Sequence, residues 1–448
     1  MNRKKIVVKT TEYIFYGITI IQVVLGLIWT FNQFPHMQNW QESYEYLDIS
    51  RTWVMDEYVS FLYPFLLKVC TGIEGVTGIP FYMPVYVMQL AAVIFANWIF
   101  AKKTLNIKNG KAAWVAAYLT SFPMLLQFHL SVRTQSLEVS GILMLIAFLE
   151  TNLIGAAVVT LFLIWLNPNM APVVAAAWIV CLIRAHVIAR KEKKSTETAI
   201  ERKRFWVKCG AFALALFVGL SVNGLVQTPG SRGRIQKTFW AAAFQRVVTE
   251  YFSRSYAMWD DEVINTFTIE EAMELAKRSD NMMYEVGPTL DAQWGKKEAN
   301  EMYKHMTINC FKVRTRDIVY QIRDDLVDSA LMPFSVWWQD NGVRMSQTGW
   351  NYGLMREHSP RTALYYMSFS VYALVILLIS GFLRLITNKK IVKQVIYVLI
   401  IALMQCLQSV LSTGNRVNYG LLLFVVLFWC CMAVPKQPEQ DEFIEEIK

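Results

Sequence analysis

Metal-ligand spacing is missing from this chain. No CxxC and no Cys/His pattern occurs, so zinc-site and dithiol redox classes drop out. Of seven cysteines, Cys181, Cys209, Cys406, Cys430 and Cys431 lie inside apolar runs. Only Cys70 and Cys310 fall in polar segments, which leaves room for at most one disulfide outside the membrane. Ten-residue alternating strands separated by Asn/Asp-Gly turns are also absent, which argues against a β-barrel. There is no internal repeat and no low-complexity tract. No small-residue cleavage site follows the first apolar run, so that run reads as a retained anchor.

What is present is apolar length. The 448 residues are 54% hydrophobic, with mean hydropathy +0.30. A helical span needs about 20 residues, and helices are the remaining way to satisfy the backbone in lipid. Runs of that kind fall at 12–32, 81–101, 112–128, 134–150, 153–167, 171–189, 207–227, 363–386, 394–412 and 416–434. Asn167-Pro168-Asn169 reads either as a tight outer turn or as a break in one re-entrant element. The expected fold is an all-α polytopic membrane protein with about ten transmembrane helices. It has interfacial helices in the first outer loop and a mainly helical outer segment before the eighth span.

The net charge of +9 is not a nucleic-acid footprint, because of where it sits. Basic residues gather at the N-terminus (Arg3, Lys4, Lys5, Lys9), at Lys102, Lys103, Lys108 and Lys111, across 190–208, and at Lys389, Lys390 and Lys393. Each patch flanks an apolar run, as cytoplasmic loops do. With Asn167–Asn169 as a turn, span parity and charge agree on a multi-pass protein of the cell membrane. Both termini are then cytoplasmic, and loops 33–80 and 228–362 are outside. The expected units are a membrane module 1–227, an extracytoplasmic segment 228–362, a second membrane module 363–434 and an acidic cytoplasmic tail 435–448.

Loop 33–80 holds Glu42, Glu45, Asp48, Asp56, Glu57 and Glu74 against Arg51 and Lys68. Trp40, Tyr44, Leu47, Arg51 and Val54 recur at helical spacing, which predicts an interfacial helix. A second is expected over 61–67, broken by Pro64, before Gly72, Gly75 and Gly78 loosen the chain. Loop 228–362 is near neutral, with 17 Lys/Arg and 18 Asp/Glu. It predicts an interfacial helix over 233–252, a capping box at Thr268-Ile269-Glu270-Glu271 opening a helix to about 278, and helices over 296–306 and 314–331.

Acids just beyond the first span suit proton abstraction from a hydroxyl acceptor while a lipid-linked donor keeps its tail in the bilayer. The competing reading is a solvated interfacial helix whose acids only keep that face polar. At this point the chain resembles the GT-C superfamily of polytopic glycosyltransferases, which use polyprenyl-phosphate-linked sugars. Glu42, Ser43 and Tyr46 occupy the positions of that family's Asp-Glu-x-x-Tyr-like motif, and Tyr63-Pro64 matches its Pro motif. The resemblance implies Glu42 as catalytic base, Asp56 or Glu57 as second acid, and Tyr46 at the substrate. Ser43 replaces an acid, which argues against a metal-assisted version. No metal ligand is assigned and no cofactor is required; a divalent cation is left open.

Two further segments carry the likeness. In 133–138 (Arg133, Thr134, Gln135, Ser136, Leu137, Glu138), Gln135 stands where Glu is common, and His129, Arg133, Gln135 and Glu138 form a polar group at a span end. Span-end anchoring and a role in the site weigh equally there. Before the last run, Arg416 matches a family Arg facing the carrier phosphate, a role its forked guanidinium suits. Arg232, Arg234 and Arg246 either meet a diphosphate or hold anionic lipid. Trp337 and Trp338 either face sugar or belong to an interfacial belt. The 228–362 loop looks like that of GT-C-like membrane proteins of Gram-positive anaerobes. The implied partners are the lipid bilayer, a polyprenyl-phosphate-linked sugar donor and a cell-envelope acceptor, with no nucleic acid. A transporter or flippase, a polysaccharide polymerase or ligase, and an inactive family member are the alternatives.

Overall fold

The computed structural model describes residues 3–33, 41–54, 59–105, 107, 109–191, 198–226, 238–249, 267–268, 270–271, 286–331, 360–387, 400–401 and 403–404. Among them every regular element is a helix. The first is α1 (Arg3–Gln33), followed by α2 (Gln41–Thr52) and α3 (Leu62–Thr77). Then come α4 (Tyr82–Ile99, continued by a π turn at Phe100–Thr104), α5 (Asn109–Thr120), α6 (Pro123–His129), α7 (Gln135–Thr151) and α8 (Leu153–Leu166). A 3₁₀ turn at Pro168–Met170 leads to α9 (Ala171–Lys191) and α10 (Thr198–Val226). The polar part holds α11 (Phe239–Phe244, continued by a π turn at Gln245–Thr249), α12 (Val286–Trp294) and α13 (Lys296–Leu331), and α14 (Pro360–Thr387) follows.

Among the described residues four helices are long and apolar enough to cross a membrane: Tyr13–Phe31, Tyr82–Thr104, Pro168–His186 and Phe205–Val226. The 19 residues of the first reach roughly 28 Å, close to the hydrocarbon thickness of about 30 Å. Shorter apolar helices cover Gln135–Leu149, Leu153–Leu166 and Tyr365–Ile379. Most of the runs 394–412 and 416–434 lies outside the described residues.

The third expected span, 112–128, is not continuous. It breaks between α5 and α6 at Ser121-Phe122, because Pro123 takes the first helical position of α6, where its missing N–H costs nothing. The carbonyl freed at Ser121 is not left bare. Gln22 Nε2 of α1 donates to it at 3.0 Å, and the Tyr366 hydroxyl of α14 donates to it as well. Ser370 Oγ donates to Gln22 Oε1 at 2.8 Å, closing a buried polar knot between α1, α14 and the break. A Cβ on Gly26 would stand 3.0 Å from the Tyr366 hydroxyl, so glycine lets α1 come this close.

α7 is the central helix, and almost its whole length is buried. A Cβ on Gly141 would lie 2.6 Å from Leu163 Cδ2, so a small residue is needed where α7 meets α8. Trp178 donates to Thr160 Oγ1 at 2.9 Å and stacks on Phe212 with centroids 5.4 Å apart, locking α8, α9 and α10 together. At one end of the bundle Lys208 Nζ reaches the Leu149 carbonyl at 3.3 Å. At the other, Asn167 Nδ2 donates to Glu138 Oε1 at 2.9 Å. α7 therefore runs antiparallel to α8 and α10.

The first loop differs from its expected form. α2 turns Ser43, Leu47 and Ser50 inward and leaves Tyr44, Asp48 and Arg51 out. α3 is unbroken: Pro64 sits in its first turn, where a donor is dispensable, and Gly72 and Gly75 lie inside the helix. It ends at Gly78, whose φ of 71° is the left-handed cap geometry that glycine favours.

Residues 239–318 build a second core from Phe244, Val248, Leu290, Ala299, Tyr303, Met306 and Cys310. The capping box forms reciprocally: Thr268 N donates to Glu271 Oε2 at 2.8 Å, and Glu271 N donates to Thr268 Oγ1 at 3.2 Å. The rest of the helix expected there lies outside the described residues. In place of a helix over 233–252, the described part is α11 with its π turn, from 239 to 249. The helices expected over 296–306 and 314–331 both lie within α13, whose two helical stretches meet at a kink at Arg314. Cys70 and Cys310 are free thiols buried in different cores.

Candidate functional site at the α2, α3 and α7 junction

Between α6 and α7 the chain makes a short turn, 130–134, and this turn is where the first loop docks. Ser43 Oγ of α2 donates to the Val132 carbonyl at 2.8 Å, with both residues fully buried. This contact explains the departure at position 43. A carboxylate there would bury an anion against a carbonyl oxygen, whereas a hydroxyl supplies the proton that the carbonyl accepts. Glu42 lies one residue earlier in α2; its backbone belongs to the helix, and its side chain is outside what is described.

α3 reaches the same turn through α4. The Tyr63 hydroxyl donates to Gln89 Oε1 at 3.1 Å, and Gln89 Nε2 donates to the carbonyls of His129 at 2.8 Å and Ser131 at 2.9 Å. Tyr46 meets Tyr63 edge to face with centroids 5.0 Å apart. Burial pushes the Tyr63 hydroxyl well above its ordinary range. Tyr46, Tyr86 and Cys70 push the same way, and the Arg133 guanidinium opposes them. Tyr63 is thus a fixed neutral donor.

Arg133, Gln135 and Glu138 do not reach solvent from a span end. They are 1%, 6% and 0% exposed. The turn folds inward because α2 and α3 cover it, and the Arg133 guanidinium lies over the Phe128 ring at 5.6 Å. Glu138 accepts from Asn167, and His129 Nδ1 pairs with Ser136 Oγ at 2.8 Å. Two polar atoms here, His129 Nε2 and Gln135 Oε1, are buried with no hydrogen-bond partner. Each such atom costs about 1–3 kcal/mol of stability. A further tie holds the loop down: Ser60 Oγ bonds Asn223 Oδ1 at 2.9 Å and the Trp165 carbonyl, joining loop one to the ends of α8 and α10.

The structure therefore brings Tyr46, Arg133, Gln135 and Glu138 together beside the helix that carries Glu42. It does not bring Arg246 there: that side chain is buried in the π turn after α11, in the stretch that forms the second core. Asp56, Glu57, Arg232, Arg234, Trp337, Trp338 and Arg416 lie outside the described residues. No group of three His, Cys, Asp or Glu side chains that could hold a metal occurs among the described residues.

Sequence reasoning missed Gln89, Ser60, Asn223 and Asn167. Gln89 carried a usable signal, one of two side-chain amides (with Asn97) within an otherwise apolar stretch, since such a residue in a span needs a partner or a function. Trp53 was also missed. It ends α2 at φ 56°, a left-handed conformation costly for a bulky side chain. Phe65 meets it edge-on at 6.3 Å and Lys68 Nζ stands 4.7 Å over its ring, immediately before the segment that holds Asp56 and Glu57. No family model, no curated protein and no solved structure matches this chain.

Proposed function

We propose that the chain is a multi-pass glycosyltransferase of GT-C type. It takes a sugar from a polyprenyl-phosphate carrier and delivers it to a cell-envelope acceptor at the extracytoplasmic face, with both termini in the cytoplasm. The observation that carries this reading is the Ser43–Val132 contact, which sets the acid-bearing start of α2 against a turn holding a buried guanidinium. Glu42 takes the acceptor proton. Arg133 offers the carrier phosphate a forked donor, a part the resemblance also gives to Arg416. Sidedness has its own support. Segments that the charge pattern assigns to the outside, 41–63, 130–134 and 165–167, meet at one end of the bundle. Lys208, from a basic patch, contacts Leu149 at the other end. Ionisable side chains of the described apolar helices lie toward the helix ends rather than at mid-depth, which favours transfer over transport.

The test is transfer in proteoliposomes. The full-length protein is reconstituted with radiolabelled polyprenyl-phosphate glucose, mannose, galactose or N-acetylglucosamine, and a cell-envelope extract is added outside. Label passing from lipid to the envelope fraction is expected for at least one donor, in vesicles whose outer surface presents α2. Label that crosses the bilayer still attached to its carrier, with no covalent product, would replace this reading with a flippase.

A further inference from the structure

The α6–α7 turn contains two polar groups that the protein does not use. His129 is 3% exposed and Gln135 6%, yet His129 Nε2 and Gln135 Oε1 have no hydrogen-bond partner. Several neighbouring groups of the turn are engaged. Ser136 Oγ holds His129 Nδ1, Ser140 Oγ donates to the Ser136 carbonyl at 2.7 Å, and Gln89 takes the carbonyls of His129 and Ser131. Ser43 takes the carbonyl of Val132. With its neighbours anchored on every side, the turn cannot relax to satisfy the two remaining atoms. Buried polar groups left unmatched in this way destabilise a protein unless something else binds them.

We infer that His129 and Gln135 form a subsite for the hydroxyl groups of a sugar ring, beside the proposed transfer site and separate from the place of the carrier phosphate. This inference rests on the proposed function for its setting and on the two unmatched atoms for its chemistry. A side-chain amide oxygen accepts and cannot donate, so its partner must bring a proton. A sugar hydroxyl does so, whereas an ionised phosphate oxygen facing Gln135 Oε1 would repel it. Imidazole Nε2 serves as donor or acceptor according to tautomer, and Ser136 Oγ at Nδ1 accommodates either one. Hydroxyls both give and take hydrogen bonds, so sugar hydroxyls match the needs of both side chains.

A subsite of this kind leaves a signature that a structural role does not: removing the Gln135 amide weakens ligand binding without weakening the empty protein. The full-length protein and the variants Gln135→Leu and His129→Phe are melted in nanodiscs, followed by tryptophan fluorescence. Melting is done alone and with n-octyl glucoside, n-octyl mannoside or n-octyl galactoside below micellar concentration; tetraethylene glycol monooctyl ether serves as the sugar-free control. Without additive, Gln135→Leu melts at or up to roughly 3 °C above the wild type, while His129→Phe melts lower because the buried Ser136 hydroxyl loses its partner. At least one glycoside raises the wild-type melting temperature above the control, and each variant loses at least half of that rise.

A Gln135→Leu variant that melts several degrees lower without additive would show that this group is structural and would overturn the subsite. So would a glycoside shift that both variants retain, or the absence of any shift in the wild type. The transfer assay separates the two claims. Glycoside binding without transfer leaves the subsite and removes the transferase reading. Transfer that both variants perform at the wild-type rate does the reverse.

Discussion

Glu42→Gln lowers sugar transfer by about 10²–10⁴-fold, the usual contribution of a positioned general base. The amide keeps the shape of the carboxylate and loses its capacity to accept a proton, so the loss falls on kcat. The KM for the polyprenyl-phosphate donor stays within about twofold, because the donor is held by other groups. The melting temperature is unchanged, since neighbouring Ser43 makes the contact that seats α2, and that hydroxyl remains. Initial rates and melts on the same purified preparations check this. A Glu42→Gln enzyme that retains half of the wild-type rate would assign the proton to a different group.

Arg133→Ala has the largest expected effect on the protein itself. Arg133 is 1% exposed and Glu138 0% exposed, and Arg133 supplies the strongly basic side chain of the segment 129–140. Removing so large a buried side chain leaves a cavity and destabilises by about 2–5 kcal/mol. The guanidinium also lies against the Phe128 ring, so part of the loss is packing. Arg133→Lys restores the charge but not the planar fork, so it recovers most of the stability and little of the donor affinity. Separate melting and donor-binding titrations distinguish the two contributions. Equal recovery of both by lysine would mean that the fork plays no part in holding phosphate.

The helices were legible because lipid-length apolar runs and flanking charge are strong, local signals. The capping box at Thr268 and Glu271 was legible for the same reason: its three-residue spacing fixes its geometry. The break at Ser121–Phe122 was not, although Pro123 was visible. Proline within an apolar run is tolerated when a partner satisfies the freed carbonyl, and here the partners are Gln22 and Tyr366, 99 and 245 residues distant in sequence. The inward face of α2 was not legible either, because a single hydroxyl at Ser43 and a distant backbone carbonyl decide its rotation. Polar residues 129–138 were recognised as a group, but their burial was not, because their cover comes from α2 and α3. Local periodicity carries no information about such long-range partners.

The central claim is that α2 and the α6–α7 turn face one bound lipid-linked sugar. Photocrosslinking with a polyprenyl-phosphate sugar that carries a diazirine on the ring tests it most directly, with adducts located by mass spectrometry of the digested protein. Adducts on peptides from both 41–46 and 129–138, competed away by unlabelled donor, are the expected result. Adducts confined to the lipid-exposed faces of α1 and α10, and unaffected by competitor, would contradict it.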